Sequence, residues 1–319
     1  MLQKKYIVII SYIVLLLFLL FDLSNSFRQY YVGDLDGDIA ESVLPYPNIQ
    51  KTFDDPTGIK TIVNNDKHLG TNRFFSHYFL HKTFREVPLL LQKFCSPIDS
   101  VYYTSAIAKL FMHISILFLL SIIISGRINI FSLKFVATAA FLTPFFQGNG
   151  RLLAREMGII DVTSYSFFYA APLIFLLLYY IPLLLEFLHD RKITMNWILV
   201  ILWAIFAIIA CFSGPLIPPT ILIINTILCI YFFLKNWKQN GNKNIVKTLK
   251  SIPKRIYLFV IPISFLALYS IFLGTYINAY EDIRPSLKEL YVILPQGIFQ
   301  KIFASISYSI TGLLTMSCT

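Results

Sequence analysis

The fold class this sequence predicts is an all-α polytopic transmembrane helix bundle, on three observations. Of 319 residues, 56% are hydrophobic and only 14% charged, against about 25% charged in an ordinary soluble domain. The apolar residues fall in runs of roughly 17 to 25, the length that crosses about 30 Å of hydrocarbon at 1.5 Å per residue. Stretches such as Phe167–Leu185 are apolar on every face, whereas a membrane β-barrel needs strands of about ten residues with alternating polarity.

Basic residues then set the sidedness. Lys4 and Lys5 precede the first run, Arg127 and Lys134 follow the second, and Arg191 and Lys192 follow the fourth. Lys235, Lys238, Lys243, Lys247, Lys250, Lys254 and Arg255 follow the sixth. If the spans alternate, all of these lie on one side, which the positive-inside rule makes cytoplasmic. The net charge of +10 is thereby explained as a topology signal touching anionic membrane lipid, and no nucleic-acid partner is predicted. The expected location is an integral membrane protein, in the simplest setting a bacterial cytoplasmic membrane, with the N-terminus cytoplasmic and the first long loop external.

Spans are predicted at Tyr6–Phe21, Ser105–Ser125, Leu133–Phe146, Phe167–Phe187, Trp197–Phe212, Thr220–Leu234 and Tyr257–Leu273, with an eighth at Ile298–Met316. The predicted organisation is a first transmembrane helix over 1–21, an external loop over 22–104, and a bundle of the remaining spans over 105–319. The first run, lysines before it and Ser24-Asn25-Ser26 after it, also fits a signal sequence; both readings send the next loop outside. The four cysteines show no metal spacing and imply no disulfide framework.

The loop from Asp22 to Tyr103 is far longer than two spans require. Phe74, Phe75, Tyr78, Phe79, Phe84 and Leu89–Leu91 alternate with Arg73, His77, His81, Lys82 and Arg85, a pattern for helices lying flat among lipid headgroups. One or two are predicted, about Thr71–Phe84 and Val87–Phe94, hinged near Pro88. Ahead of them, Gly33-Asp34-Leu35-Asp36-Gly37-Asp38-Ile39-Ala40-Glu41 crowds four carboxylates into eight positions. Crowded carboxylates repel, and a proton, a divalent cation such as Mg2+ or Mn2+, or a basic substrate relieves them. An EF-hand is excluded, because the required Gly and Glu are replaced by Ile39 and Pro45. The plain alternative is an acidic turn in which Asp36 or Asp38 caps a helix.

Asp34-Leu35-Asp36-Gly37-Asp38 beyond the first span, the amphipathic stretch Phe74–Phe94 and the return through Ser105–Ser125 together resemble the C-type (GT-C) superfamily of membrane glycosyltransferases. That resemblance is architectural and covers roughly the first 130 residues. It implies an acidic residue of the first external loop acting as general base, a polyprenyl-phosphate-linked sugar donor, and inverting displacement at the anomeric carbon. By position Asp36 is the first candidate, then Asp38 and Asp34, with Glu41 beside them as a substrate contact. The chain departs from the superfamily in having fewer spans and in stopping at Ser317-Cys318-Thr319 without a basic cap, which the resemblance reads as a short relative or an incomplete chain.

The second external loop adds Arg151 and Arg155, four apart and after Gly148 and Gly150. Guanidinium forks on one helical face pair well with phosphate oxygens; snorkelling arginines paired with nearby acids are the plain alternative. His77 and His81 share the same spacing, but Tyr78 stands where a zinc-protease motif needs Glu, so they are read as interfacial or acceptor-contacting. His113 is read as a bundle-facing polar residue, and Lys109 and Glu186 as snorkelling near span ends. The leading functional reading is the glycosyltransferase. A transporter or flippase for a lipid-linked or anionic solute is the second, and a non-catalytic membrane subunit of an envelope assembly system the third. Scarcity of deep intramembrane charge favours the enzyme over an ion-coupled pump.

Overall fold

A computed structural model describes residues 2–33, 35–44, 47–65, 70–146, 160, 162–190, 196–239 and 245–277. The described residues are all-helical, with no strand among them. In chain order the helices are α1 (Leu2–Val32), α2 (Gly37–Val43), α3 (Pro47–Asp54), α4 (Ile59–Asn64), α5 (Phe74–Leu91), α6 (Pro97–Ser125) and α7 (Leu133–Leu142). There follow α8 (Thr163–Tyr165), α9 (Ala171–His189), α10 (Trp197–Cys211), α11 (Ile217–Gln239), α12 (Ile245–Ser251) and α13 (Lys254–Ile277). A π turn, Ser166–Ala170, joins α8 to α9, making one rod from Thr163 to His189.

Five helices are long and apolar enough to cross a membrane: Tyr6–Val32, Pro97–Ser125, Thr163–His189, Ile217–Gln239 and Lys254–Gly274. Leu133–Phe145 and Trp197–Cys211 are apolar but shorter. Exposure supports a lipid solvent. Only 6% of the most apolar window of α1 is buried, against 50% in α6 and 56% in the Thr163–His189 rod. Ile7, Ile10, Val14, Leu17 and Phe21 stand exposed along α1, and in water each such side chain would forgo about 1.5–3 kcal/mol. The eighth expected span, Ile298–Met316, lies outside the described residues.

Helix α6 is the hub, packed against α1, α5, α7 and α9. A second group joins α9, α10, α11 and α13. Polar side chains stitch this second group where no water would satisfy them. The Tyr180 hydroxyl donates to Asn225 Oδ1 at 2.5 Å, Asn225 Nδ2 donates to Ser264 Oγ at 2.8 Å, and Trp203 Nε1 donates to the Tyr179 carbonyl at 3.0 Å.

Helix limits depart from the predicted ones at both ends of the first loop. α1 runs on to Val32 rather than ending at Phe21, because its last turns join the bundle: the Tyr30 hydroxyl meets His113 Nδ1 at 3.1 Å, the Tyr31 hydroxyl donates to Asp99 Oδ1 at 3.1 Å, and the fully buried Ser26 donates back to the Asp22 carbonyl of its own helix at 3.0 Å. α6 starts at Pro97 rather than Ser105. Ser96 caps it by accepting from Asp99 N at 3.1 Å, and Pro97 sits in the first turn, where its missing N–H costs nothing. Of the one or two helices expected around Pro88 there is one, α5, preceded by a short 3-10 turn at Thr71–Arg73, and Pro88 is buried inside it rather than at a hinge.

What remains between α1 and α6 is folded onto the bundle. Phe75 N donates to the Phe212 carbonyl at 3.2 Å, Ser76 Oγ to the Ser213 carbonyl at 2.6 Å, and the Tyr269 hydroxyl to the Thr57 carbonyl at 2.8 Å. Asp55 is buried and closes α4 by accepting from both N and Oγ1 of Thr61, at 2.7 and 2.8 Å.

Candidate functional site

The acidic motif begins where α1 ends. Gly33 closes that helix by donating its N–H to the Gln29 carbonyl at 3.0 Å. Asp36 stands at the N-cap position of α2 with extended backbone, but its side chain makes no cap bond to α2. It reaches across instead to the start of the Thr163–His189 rod, where Oδ2 accepts from Ser164 N at 2.9 Å. A carboxylate on the free N–H groups at a helix start is a favourable pairing with the positive end of the helix dipole. The other oxygen, Oδ1, is buried and has no hydrogen-bond partner among the described residues. Asp38 and Glu41 are exposed on α2. Asp34, Arg151 and Arg155 lie outside the described residues.

Both histidines of α5 come to the same region. His81 Nδ1 is 2.8 Å from the Ser42 carbonyl of α2; since a carbonyl only accepts, that nitrogen carries the proton. Its ring also tilts against Phe53, centroids 5.2 Å apart. His77 meets the edge of Phe168 at 4.9 Å. Phe168 is one helical turn beyond Ser164, so Asp36 and His77 contact successive turns of the same rod. Burial, reinforced by the Arg73 charge, pushes His77 down to about 4, so the ring is neutral near pH 7. Its Nδ1 is buried without a partner among the described residues. Gly70 has a left-handed backbone, φ 90°, and a methyl there would lie 3.5 Å from His77 Nε2.

Two further features adjoin. Lys109 falls in the middle of α6 and is 1% exposed, correcting the expectation that it snorkels at a span end. Its Nζ lies 5.8 Å from the centre of the Tyr30 ring and 3.8 Å from where a Cβ on Gly33 would stand, beside the acidic motif. One turn further along α6, the fully buried His113 joins the Tyr30 hydroxyl at 3.1 Å to Thr143 Oγ1 at 3.2 Å. Sequence reasoning missed Lys109 because it missed the helix start at Ser96-Pro97; that start was the signal.

The second feature is an apolar groove of about 370 Å³ between α5, α6 and the rod, walled by Phe79, Ile107, Phe111, Phe167, Ile174 and Phe175. Its size and lining suit a hydrocarbon chain. Among the described residues no group of three or more His, Cys, Asp or Glu side chains is placed to hold a metal ion. Cys95, Cys211 and Cys229 are free thiols. The arrangement offers an aspartate oriented through one oxygen, a neutral histidine on the adjacent turn, and an apolar groove on the same rod. Comparison with known proteins finds no family model, no curated protein and no solved structure that matches the chain.

Proposed function

We propose that the chain is a membrane glycosyltransferase, moving a sugar from a polyprenyl-phosphate-linked donor to an acceptor at the external face, with Asp36 as general base. In the full reading the seven or so apolar helices all cross the membrane, and the cell-envelope face carries the first loop. The observation that supports it best is the state of the Asp36 carboxylate: Oδ2 is held by Ser164 N–H, and Oδ1 is shielded with no partner among the described residues. A base needs a fixed orientation and an unspent lone pair, and both are present. In the reaction the acceptor hydroxyl gives its proton to Asp36 Oδ1, its oxygen attacks the anomeric carbon, and the carbon–oxygen bond to phosphate breaks. Polyprenyl phosphate leaves and the anomeric configuration inverts. The groove of α5, α6 and the rod offers the prenyl chain an apolar seat, and Asp38, Glu41, His77 and His81 stand near as acceptor contacts. Asp34, Arg151 and Arg155 keep the roles their spacing gives them, a further acid and a phosphate clamp.

One observation favours the transporter reading. Lys109, His113 and Asp22 are all buried among α1, α6 and α7, so intramembrane ionisable groups are less scarce than the sequence implies, and such groups mark ion pathways by default. Proteoliposomes carrying a sugar-labelled polyprenyl-phosphate donor separate the two. Label covalently joined to an acceptor supports the transferase; label that crosses the bilayer on an unchanged lipid supports transport and removes the enzyme.

A further inference from the structure

At the other end of the rod, α9, α11 and α13 leave a cavity of about 260 Å³, lined by Glu186, Asp190, Tyr231, Lys235, Asn236 and Arg255 among others. Each of these helices belongs to a segment long and apolar enough to cross a membrane, which puts a cavity among their ends at the depth of lipid headgroups. Its charges are unevenly used. Arg255 is paired with Glu186, so the expectation that Glu186 snorkels gives way to an ion pair. Asp190 ends α9 in a left-handed conformation, φ 51°. A carboxylate there faces the negative end of the helix dipole, and among the described residues no cation lies within ion-pair distance of it. Lys235 holds its ammonium 5.8 Å from the centre of the Tyr231 ring. Asn236 Nδ2 is buried with no acceptor among the described residues.

Among the described residues the cavity therefore presents two donors, Lys235 and Asn236, and one carboxylate that no cation accompanies. A purely anionic ligand would satisfy the donors and be repelled by Asp190; a simple cation would do the reverse. A phosphodiester that carries its own ammonium satisfies all three. The volume falls below the roughly 300–1,000 Å³ of typical small-molecule sites, which fits a headgroup and excludes a nucleotide. We propose that this cavity binds the phosphoethanolamine headgroup of a membrane phospholipid, its phosphate against Lys235 and Asn236 and its ammonium against Asp190. The site is independent of the chemistry at Asp36.

The test is native mass spectrometry of the full chain in detergent, loaded with an equimolar mixture of short-chain phosphatidylethanolamine and phosphatidylglycerol. The wild type is expected to retain the ethanolamine lipid about threefold to fivefold over the glycerol lipid, the range of a partly exposed charge pair. In Asp190→Asn that preference falls to about one, and in Lys235→Gln and Asn236→Ala retention of both lipids falls. Asp190 and Lys235 are exposed, and circular dichroism checks that the variants keep their helices. Equal retention by the wild type, or a preference that survives Asp190→Asn, overturns the proposal. Adding sn-glycero-3-phosphoethanolamine separates the sources: a lipid site keeps its lipid, whereas displacement at millimolar concentration assigns the cavity to a soluble compound and overturns the lipid assignment.

Discussion

Lowering the pH from about 7.5 to about 4.5 places a proton on an unfolded histidine, whose pKa is about 6.5. In the folded chain burial, with Arg73 beside it, holds His77 at about 4. Between those values the unfolded state binds a proton that the folded state refuses, so stability is full above about 6.5 and is lost as the pH falls toward 4. The whole interval corresponds to about 3 kcal/mol at 1.36 kcal/mol per pH unit. His77 is only partly buried by surface area, and solvent screening reduces this to about 1–2 kcal/mol. His77→Phe keeps the aromatic contact with Phe168 and removes the titration. The assay is the apparent Tm of wild type and variant in detergent across that pH range, the two differing only at residue 77. The variant is expected to lose less Tm on acidification than the wild type. Parallel losses would refute a histidine held neutral by burial.

Two other substitutions probe the bundle. Asn225→Ala leaves the Tyr180 hydroxyl without its acceptor and Ser264 without its donor, and is expected to cost about 1–2 kcal/mol in SDS unfolding, within the range of buried interhelical hydrogen bonds. Gly126→Ala puts a Cβ 2.7 Å from His189 on a backbone with φ 72°, and forces His189 off the Ile123 carbonyl it meets at 2.7 Å. A loss of about 2 kcal/mol is expected, read by thermal unfolding against Gly37→Ala, whose new methyl meets nothing within 4 Å.

The membrane class was legible because run length and hydropathy are local. The limits of the first loop were not. Asp22 and Ser24-Asn25-Ser26 read as the exit from a span, yet Asp22 and Ser26 are buried within α1, since a polar side chain inside a bundle is as acceptable as an apolar one once it has a partner. Ser96-Pro97-Ile98-Asp99 was the overlooked counter-signal, a capped helix start written in sequence order. Pro88 misled in the opposite direction: a proline that reads as a hinge sits inside a continuous helix. For the candidate site, the proximity of Asp36 to an N–H at Ser164 depends on residues 128 positions apart, which no local pattern announces. The same holds for Lys109 beside Gly33, residues 76 positions apart whose approach no local pattern announces.

The measurement closest to the central claim is sugar transfer by Asp36→Asn in proteoliposomes, supplied with labelled polyprenyl-phosphate hexoses and an acceptor extract from the same membranes. The amide oxygen of Asn still accepts from Ser164 N–H, so the fold is expected to survive, while the carboxylate that would take the proton is gone. The account predicts transfer by the wild type and a loss of about 100-fold or more in the variant, the scale of a positioned general base. Turnover by the variant within a few-fold of the wild type, with Tm unchanged, would contradict it.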